Sequence, residues 1–375
     1  MHSPEFILNA GNKNSLFLHL RSACSLKTVI YVIQKMEKTL LKRTAAAFRE
    51  RRRLVAPLMG FPGLQIVNST IKLAQQNFGE HYKVLRSLVS RFQPDMIFPM
   101  MDLSVEANAL GLYTVFPKYD TPTVIKDQFN IGDLERHRQI DITCDTRLQG
   151  YVETMKLMRL SFPEEVIKGA YVTGPYTLAS LIMGADEAAV TALLEPEHLA
   201  GVCEFTMERT MEYARLLTGA GAQAISILEP TAVMLGPEEF ESFSSRYILD
   251  LVHSYKYTDV SIIYHTCGNT MHLIDLMAGS RVDAISLDAA KVGVDLPEVA
   301  RRVGDKTIII GNIDPTGVIL TGTPEEVKDE VSELLHSMDF CPNFILSTGC
   351  DLPQEVPFDN IAAFMTAGRQ YRIGK

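Results

Sequence analysis

Cysteine is scarce in this 375-residue chain, and the six cysteines that are present follow no regular spacing. A small secreted protein held together by disulfides would instead show dense, paired cysteines. Scattered cysteines in a chain of this length indicate a reducing compartment, in which most thiols stay free. We therefore expect a cytoplasmic protein without a disulfide framework.

Long apolar runs are also missing, because no stretch approaches the ~18 residues that a membrane-spanning helix requires. Two apolar stretches near the N-terminus, residues 16–20 and 29–33, are short and are interrupted by Arg21 and Lys27. No small-residue cleavage site follows them, so a secretory signal is not expected. The sequence thus predicts neither a membrane span nor export.

An excess of basic residues is the third absence. The chain carries 36 lysines and arginines against 45 aspartates and glutamates, which gives a formal net charge of −9. A nucleic-acid-binding protein would need a basic face to neutralise phosphates, so a nucleic-acid partner is not expected. Hydrophobic residues make up 46% of the chain, which is enough for a sizeable core.

Short apolar runs alternate with helical patterns along most of the chain. In residues 196–217 and 325–338, apolar residues recur at spacings of three and four, which is typical of amphipathic helices. Eight strands separated by helices imply parallel strands joined by right-handed crossovers. The pattern predicts an α/β fold, a closed (β/α)8 TIM barrel, with an open doubly wound sheet as the alternative. The eight predicted strands span residues 54–59, 96–101, 167–172, 224–228, 260–264, 282–287, 307–310 and 344–346.

A second methionine, Met36, opens a regular helical stretch, and the barrel is predicted to begin there. Residues 36–375 are expected to form a single catalytic domain, since one large barrel with insertions accommodates this length. Residues 1–35 are expected to be an N-terminal helical extension outside the barrel. Residues 111–150, which contain prolines and many charges, are predicted to be an insertion or lid between the second and third strands.

His265 and Cys267 stand one residue apart just past the fifth apolar run, and Cys350 follows the eighth run. An imidazole and two thiolates form a ligand set that suits zinc better than magnesium or calcium, which prefer oxygen. Three protein ligands leave a fourth position open, as in catalytic rather than structural zinc sites. The alternative is that His265 is a core histidine and Cys267 a buried small hydrophobe.

Other polar residues also follow the predicted strands. In a (β/α)8 barrel the C-terminal ends of all strands meet at one rim, where barrel enzymes place their chemistry. The sequence therefore predicts one site over the mouth of the barrel. Its polar members, beside the three metal ligands, are Asp102, Glu229, Asp288, Asn312 and Asp314.

Several short motifs occur at these positions. They are MDLSVEA at 101–107, TGPYTLA at 173–179, EPTA at 229–232, HTCGN at 265–269, GNIDP at 311–315 and STGCDLP at 347–353. These motifs resemble those of the uroporphyrinogen decarboxylase superfamily, and within it the zinc-dependent corrinoid methyltransferases of the methylcobamide:coenzyme M type. The resemblance covers roughly residues 37–372, and the H-x-C pair with a distant cysteine is specific to the methyltransferase branch.

This resemblance implies that the chain is a methyltransferase and that His265, Cys267 and Cys350 bind Zn²⁺. It implies methyl transfer between a corrinoid, carried as methylcobamide on a small cobalamin-binding partner protein, and a zinc-activated small molecule such as a thiol. The same three ligands would also serve a donor-side enzyme that removes a methyl group from oxygen or nitrogen. The direction of transfer therefore stays open.

A metal-free decarboxylase is the alternative within the same superfamily. True uroporphyrinogen decarboxylases carry an arginine-rich substrate anchor after the first strand, whereas this chain has GFPGLQ at 60–65. Asp102 nevertheless aligns with the aspartate that is essential in the decarboxylases. A non-catalytic module that binds a corrinoid protein is a further alternative, but such a module would be expected to lack a zinc ligand.

The remaining site residues receive predicted roles. Glu229, which replaces the aspartate expected in this motif, is predicted to be a catalytic carboxylate that serves as temporary fourth ligand or proton acceptor. Its alternative role is a charge at the N-terminus of a helix that begins beside Pro230. Asp102 is predicted to be catalytic, handling substrate or protons, with a loop cap as the alternative. Asn269, Asn312 and Asp314 are predicted to bind substrate, although the last two also fit a structural role at the rim.

Overall fold

The eight predicted strands all form, and the bounds of all but the strand at 224–228 differ from those of the apolar runs. The computed structural model describes residues 38–125 and 134–374, and the predicted extension at 1–35 lies outside the described residues. In chain order, the strands are β1 (Leu54–Val55), β2 (Met96–Ile97), β3 (Thr114–Val115), β4 (Thr123–Val124), β5 (Ile167–Thr173), β6 (Ala224–Leu228), β7 (Ser261–Thr266), β8 (Ala284–Leu287), β9 (Ile308–Ile313) and β10 (Phe344–Thr348).

Eight of these strands form one parallel sheet in the order β1, β10, β9, β8, β7, β6, β5, β2, and its two ends meet. The backbone N–H of Asp95, just before β2, donates to the carbonyl oxygen of Val55 in β1 at 3.0 Å. The Val55 N–H donates in turn to the Asp95 carboxylate at 2.8 Å. An open doubly wound sheet would leave these edges apart. The prediction of a (β/α)8 barrel is therefore confirmed.

Helices connect the strands on the outside of the barrel. The two helical patterns at 196–217 and 325–338 correspond to α10 and α16 in the following list. The α-helices are α1 (Thr39–Arg49), α2 (Gly63–Val67), α3 (Ile71–Gln76), α4 (Phe78–Phe92), α5 (Val105–Ala109), α6 (Leu134–Arg138), α7 (Thr146–Ser161), α8 (Pro175–Met183), α9 (Ala185–Leu194), α10 (Pro196–Gly219), α11 (Pro237–Phe240), α12 (Arg246–Ser254), α13 (Ile274–Gly279), α14 (Leu296–Val303), α15 (Val318–Thr321), α16 (Pro324–Ser337) and α17 (Phe358–Gln370).

Shorter helical turns occur between these elements. Most of them are 3₁₀ turns, while a π-helical turn joins α11 to α12, so that the outer layer there is continuous. These turns are the 3₁₀ turns Ile142–Cys144, Pro230–Met234, Ala290–Val292 and Gly304–Lys306 and the π turn Glu241–Ser245.

Local sequence explains where several helices begin and end. The N-terminus of α16 is a capping box, because the Thr323 hydroxyl accepts from the Glu326 N–H and the Glu326 carboxylate accepts from the Thr323 N–H. Pro324 occupies the first position of this helix, where no N–H is needed. Helix α14 ends at Gly304, whose φ of +67° favours glycine.

Alternation along the strands separates two apolar cores. On β9, Ile308 and Ile310 belong to the cluster inside the barrel, whereas Ile309 packs in the larger cluster between strands and helices. On β5, Gly169 leaves room inside the barrel for Phe98, because a Cβ atom at Gly169 would lie 2.1 Å from that ring. The barrel interior is thus filled by side chains rather than open.

Helix α1 closes the N-terminal end of the barrel. Its Leu40 and Ala47 are 1% exposed and belong to the interior cluster. Lys38, the residue before this helix, donates from Nζ to the carboxylate of Asp283 at 2.6 Å, and Asp283 directly precedes β8. Apolar packing therefore seals this end, and the polar residues of the predicted site lie at the opposite end of the strands.

The predicted insertion at 111–150 contains the β3–β4 hairpin and α6 and ends in the first turn of α7. Residues 126–133 within it lie outside the described residues. The carbonyl oxygen of Lys118 in the hairpin accepts a hydrogen bond from the N–H of Lys72 in α3, which attaches the hairpin to the loops after β1. A role as a lid stays a prediction.

No single helix within residues 38–125 and 134–374 has the length and apolar content of a membrane span. Helices α8 and α9 meet these criteria only when taken together, and they are bent by 112° where they join. Most side chains of α8 are buried in the fold.

Candidate metal centre

The three predicted metal ligands come together at the C-terminal end of the barrel. His265 is the fifth residue of β7, Cys267 directly follows this strand, and Cys350 lies two residues after β10. The Cys267 Sγ atom lies 3.4 Å from His265 Nε2 and 3.6 Å from Cys350 Sγ. All three ligand atoms lie within 4.8 Å of one another, so one ion can contact them all.

The distances from Cys267 Sγ to His265 Nε2 and to Cys350 Sγ fit a tetrahedral zinc ion. Zn–N and Zn–S bonds of about 2.0 and 2.3 Å place neighbouring ligand atoms about 3.5 Å apart for nitrogen and sulfur, and about 3.8 Å apart for two sulfurs. Both cysteines are free thiols. Within residues 38–125 and 134–374, this is the one group of three histidine, cysteine or acidic side chains arranged to hold a metal ion. The donor set therefore matches the predicted zinc site and leaves a fourth position.

A neighbouring strand orients the imidazole of His265. Ser286 on β8 lies directly opposite His265 in the parallel ladder, and its Oγ atom is 3.0 Å from His265 Nδ1. Both side chains are buried, with His265 1% and Ser286 3% exposed. This contact occupies Nδ1 and leaves Nε2 facing the two sulfurs.

The two thiols share a hydrogen bond that moves their pKa values in opposite directions. The hydrogen bond with Cys267 is the largest influence on Cys350 and lowers its pKa well below 9.0, with His265 acting in the same direction and burial against it. The same hydrogen bond, followed by burial, raises the pKa of Cys267. A cation between the sulfurs favours the thiolate form of both, since a coordinating thiol is deprotonated.

Glu229 is not part of this cluster. Its carboxylate accepts hydrogen bonds from the N–H groups of Tyr176 and Thr177, at 3.1 and 2.9 Å, and from the Ser244 hydroxyl at 2.7 Å. The two N–H groups belong to the first turn of α8, a position that favours an acceptor with negative charge. Burial raises the pKa of Glu229 and these hydrogen bonds oppose the rise.

The direction of the Glu229 side chain follows from the strand pattern. Leu228, the last residue of β6, belongs to the cluster inside the barrel, so the next side chain turns outward to the helices. The structure thus places the Glu229 carboxylate at the N-terminus of α8 and not at the turn that begins at Pro230, which was the expected alternative, and a catalytic role stays a prediction. The Glu229 N–H donates to the carbonyl oxygen of His265 at 2.9 Å. A role as temporary ligand would require these hydrogen bonds to break.

Asp102 is buried in an ion pair with Arg147 of α7. One carboxylate oxygen contacts Arg147 and accepts from the Tyr151 hydroxyl at 2.7 Å. The other oxygen accepts from the Ser104 N–H at 3.0 Å and the Ser104 hydroxyl at 2.7 Å. The Asp102 and Arg147 side chains are only 1% and 8% exposed. Both carboxylate oxygens of Asp102 are therefore engaged within the protein, and a role in substrate handling stays a prediction.

The three predicted substrate-binding residues make contacts in their own loops or with the segment after β8. Asn269 is exposed, and its side-chain oxygen accepts from the N–H of Met271 at 3.2 Å. Asn312 lies inside β9 rather than after it, and its Nδ2 donates to the carbonyl oxygen of Asp288 at 2.8 Å. Asp314 caps its own turn and pairs with Lys291 at 3.5 Å.

The surroundings of Asp314 favour the ionised form of its carboxylate. Burial acts to raise its pKa, but hydrogen bonds from Thr316 and the charge of Lys291 outweigh burial and lower the pKa below 3.8. The structure does not bring this carboxylate into the cluster of metal ligands within the described residues. Substrate binding by Asn269, Asn312 and Asp314 stays a prediction.

Three residues that support the site were missed in the sequence. Ser286 interrupts the apolar run of β8, which was the available signal, whereas nothing in the sequence paired Arg147 with Asp102. Asp351 follows Cys350, and its carboxylate accepts from the N–H groups of Gly60 and Met101 at 3.0 and 3.1 Å. Burial raises the pKa of Asp351 to about 7. This carboxylate ties the loop of Cys350 to the loops after β1 and β2.

The sequence matches known proteins over most of its length. The family described as uroporphyrinogen decarboxylase (URO-D) matches residues 70–371. The methylcobamide:CoM methyltransferase MtbA of Methanosarcina mazei is 29% identical over 255 residues, which cover 67% of this chain and 72% of that protein. The protein of the same name from Methanosarcina acetivorans is 28% identical over 254 residues, with the same coverage. The uroporphyrinogen decarboxylase of Pseudoalteromonas translucida is 25% identical over 292 residues, 75% of this chain and 80% of that one.

Solved structures share the fold. A methyltransferase from Methanosarcina mazei superposes with a TM-score of 0.78 at 20% identity and covers 88% of this chain and 98% of its own. A B12-independent methionine synthase from Shewanella sp. W3-18-1 superposes with a TM-score of 0.53 at 14% identity, covering 85% and 95%. At these identities the similarity concerns the barrel itself.

Proposed function

The chain belongs to the uroporphyrinogen decarboxylase family, and from this membership we propose that it is a zinc-dependent methyltransferase. It moves a methyl group between a corrinoid, held as methylcobamide on a small cobalamin-binding partner protein, and a small substrate such as a thiol. The observation that carries the proposal is the convergence of His265 Nε2, Cys267 Sγ and Cys350 Sγ within 4.8 Å. The two relatives named as methylcobamide:CoM methyltransferases support the methyl-transfer branch.

The loop after β1 argues against porphyrinogen decarboxylation. Decarboxylases of the family hold substrate carboxylates with arginines at this position, whereas the chain has none between Gly60 and Gln65. A Cβ atom on Gly60 would lie 2.6 Å from the Cα atom of Met100, so this loop also has no room for a longer side chain there. A relative named as a uroporphyrinogen decarboxylase shares 25% identity, which reflects the common barrel and its motifs.

The three ligand side chains define what the site can do. When bound, zinc supplies a positive centre that favours a substrate thiolate over the thiol, or polarises an oxygen of a methyl donor. His265 offers a neutral nitrogen and the two cysteines offer thiolates, whose charges formally balance a divalent cation. A substrate sulfur held beside them therefore keeps its electron density and stays nucleophilic. In this proposal Glu229 stabilises the β6–α8 junction, because both of its oxygens are engaged there.

A spectroscopic assay tests the proposal. The purified chain is incubated with methylcob(III)alamin and candidate thiols, and formation of cob(I)alamin is followed by visible absorbance. We expect transfer with at least one thiol or, when cob(I)alamin and a methylated donor are supplied instead, formation of methylcob(III)alamin. Chelation of the metal or Cys350→Ala should abolish the rate. Cys203→Ala is the matched control, because Cys203 is fully buried in α10.

One outcome would contradict the proposal. If the chain converts uroporphyrinogen to coproporphyrinogen at enzymatic rates, and a chelator leaves this rate unchanged, the metal-free decarboxylase is the right assignment. The cobalamin-binding partner protein, the identity of the substrate and a cytoplasmic location are predictions that accompany the proposal.

A further inference from the structure

Strand β8 and the turn that follows it provide no metal ligand, yet they contact the segments that carry all three ligands. In the sheet, β8 lies beside β7, which carries His265 and leads to Cys267. Its other neighbour, β9, separates it from β10, which leads to Cys350. We refer to residues Ser286, Leu287, Asp288 and Ala289 as the support segment.

The first contact of the support segment fixes the imidazole. The Ser286 Oγ atom lies 3.0 Å from His265 Nδ1, and the two residues face each other in the β7–β8 ladder. Because Nε2 faces the sulfurs, its lone pair is free for a metal only if Nδ1 carries the proton and donates it to Ser286. The hydroxyl group therefore fixes the ring orientation and can accept the Nδ1 proton that a metal on Nε2 would require.

The second contact holds the loop of Cys267. One oxygen of the Asp288 carboxylate accepts from the N–H of Gly268 at 2.7 Å, and the other accepts from the N–H of Ala289 at 2.7 Å. Gly268 follows Cys267 and has a φ of +80°, a left-handed conformation that places its N–H toward the carboxylate. Asp288 thereby joins the turn after β8 to the turn after β7.

The third contact sets the position of Cys350. A Cβ atom on Gly349 would lie 2.6 Å from the Ala289 nitrogen and 3.0 Å from the Asp288 carbonyl carbon, so the two backbones are in direct contact. Asn312 anchors the same turn by donating to the Asp288 carbonyl oxygen at 2.8 Å. The support segment is thus held from β9 and presses against the residue beside Cys350.

We propose that Ser286 and Asp288 are positioning residues that hold His265, Cys267 and Cys350 in the geometry of the metal site before the ion binds. The inference rests on the proposed function for the identity of the ion. In this proposal β8 has a role although it carries none of the ligands, and Asn312 anchors the support segment.

The partner of His265 has a further consequence for the charge of the site. Metal-binding histidines often donate to a carboxylate, which raises the basicity of the ring. Here the partner is the neutral hydroxyl of Ser286, so the two thiolates formally cancel a divalent cation and no carboxylate on the imidazole adds to them. The cation and its three protein ligands would therefore carry no net formal charge when a substrate thiolate binds.

Metal affinity and the spectrum of the cobalt-substituted protein test the proposal. Zinc is titrated against a chromophoric chelator in the whole chain, and the visible bands of bound Co²⁺ report ligand geometry. We expect Ser286→Ala and Asp288→Asn each to weaken zinc binding roughly tenfold or more and to shift the cobalt bands. Ser286→Thr keeps the hydroxyl and is expected to restore most of the affinity.

Ser226→Ala is the matched control. Ser226 is 3% exposed on β6 and lies opposite Ile263 in the ladder, so it has the burial of Ser286 without the histidine. Wild-type zinc affinity and cobalt bands in both Ser286→Ala and Asp288→Asn would overturn the inference while leaving the proposed function intact. A wild-type chain that binds neither zinc nor cobalt would contradict both.

Discussion

At the scale of single residues, the metal ligands differ from the other candidate residues in where their side chains point. His265, Cys267 and Cys350 converge, whereas Glu229 turns to the N-terminus of α8 and Asp102 is enclosed by Arg147, Ser104 and Tyr151. Residue type predicted these three side chains as ligands, because imidazole and thiolate together suit zinc better than cations that prefer oxygen. The direction in which the Glu229 and Asp102 carboxylates point, by contrast, depends on strand alternation and on partners that are distant in sequence.

The first prediction concerns metal content. His265→Ala and Cys350→Ala each remove one of three ligands, and zinc content should fall from about one ion per chain to a small fraction of that. Elemental analysis of the purified variants measures the effect, and circular dichroism checks that the barrel is intact. Cys341→Ala, which alters a buried thiol outside the cluster, should keep the zinc. Full occupancy in both ligand variants would show that the ion binds elsewhere.

The second prediction concerns Glu229. In Glu229→Gln an amide group must face one of the three donors that now point at the carboxylate, which leaves at least one buried donor unsatisfied. We expect a loss of about 1–3 kcal/mol in the free energy of unfolding. Zinc content should stay at the wild-type level. Denaturant titration and metal analysis of the same sample measure both, and a loss of zinc without a loss of stability would restore Glu229 as a metal ligand.

The sequence predicted the three candidate ligands but not the neighbouring residues that contact the site residues. The histidine and the cysteines were predicted from type and spacing, and the family predicted from the motifs is confirmed. Ser286 was missed because its partner is set by the register of β7 and β8. Arg147 was missed because its contact with Asp102 joins residues 45 positions apart. Both contacts are products of the assembled barrel, and the interruption of the β8 apolar run by Ser286 does not by itself reveal its partner.

At the scale of elements, the alternation of apolar runs and helices was sufficient to predict eight barrel strands. The bounds were less accurate, because an apolar run continues wherever the chain stays buried, whether or not its backbone pairs. The first two runs were six residues each, 54–59 and 96–101, but β1 and β2 pair over only two residues. The remainder of each run packs at the rim as loop, which places Asp102 five residues beyond the end of its strand.

A pH-dependent contact joins two of these elements. Glu106 in α5 accepts from the N–H of Thr173 at 2.7 Å and contacts its hydroxyl at 2.9 Å, which ties α5 to the end of β5. Burial raises the pKa of Glu106 from 4.5 to about 7, against the effect of these hydrogen bonds. Between these values the folded chain holds a proton that the unfolded chain has released.

The third prediction follows from this proton. Since the folded state binds more protons between pH 4.5 and 7, the contribution of Glu106 to stability falls as the pH rises through this window. The total change is about 3 kcal/mol for a pKa rise of this size. Urea unfolding of wild type and Glu106→Gln at several pH values measures it, and the difference between the two curves should slope over this range. Parallel curves would contradict the prediction.

At the scale of the whole molecule, the two ends of the barrel differ. The N-terminal end is closed by α1, and the candidate metal site lies at the C-terminal end. Helix α1 fills the N-terminal opening with apolar side chains and is fastened by the ion pair of Lys38 and Asp283, whose side chains are 9% and 13% exposed. The sequence indicated that a regular helix begins near Met36 but gave no sign that this helix closes the barrel. That role depends on the interior cluster, which forms only once all strands are in place.

The fourth prediction tests this closure. Leu40→Ala removes a side chain that is 1% exposed in the interior cluster, and we expect a loss of about 2–5 kcal/mol in the free energy of unfolding. Zinc content should not change, because the ligands lie at the opposite end. Leu160→Ala is the control, since Leu160 is 82% exposed and its truncation should cost less than about 0.5 kcal/mol. Equal stabilities of the two variants would show that α1 does not seal the barrel.

The hydrogen-bonded pair of Cys267 and Cys350 spans 83 residues of chain, and this separation has a kinetic consequence. A metal ion could contact all three side chains only after β7, β8, β9 and β10 have assembled, so we expect it to bind late in folding and to contribute little to the folding rate. The ion would instead affect the rate of unfolding. An interaction that is absent from the transition state slows unfolding rather than speeding folding. Bound zinc would link β7 to β10 across one half of the barrel. The supply of the metal would then affect how long the chain stays folded more than how fast it folds.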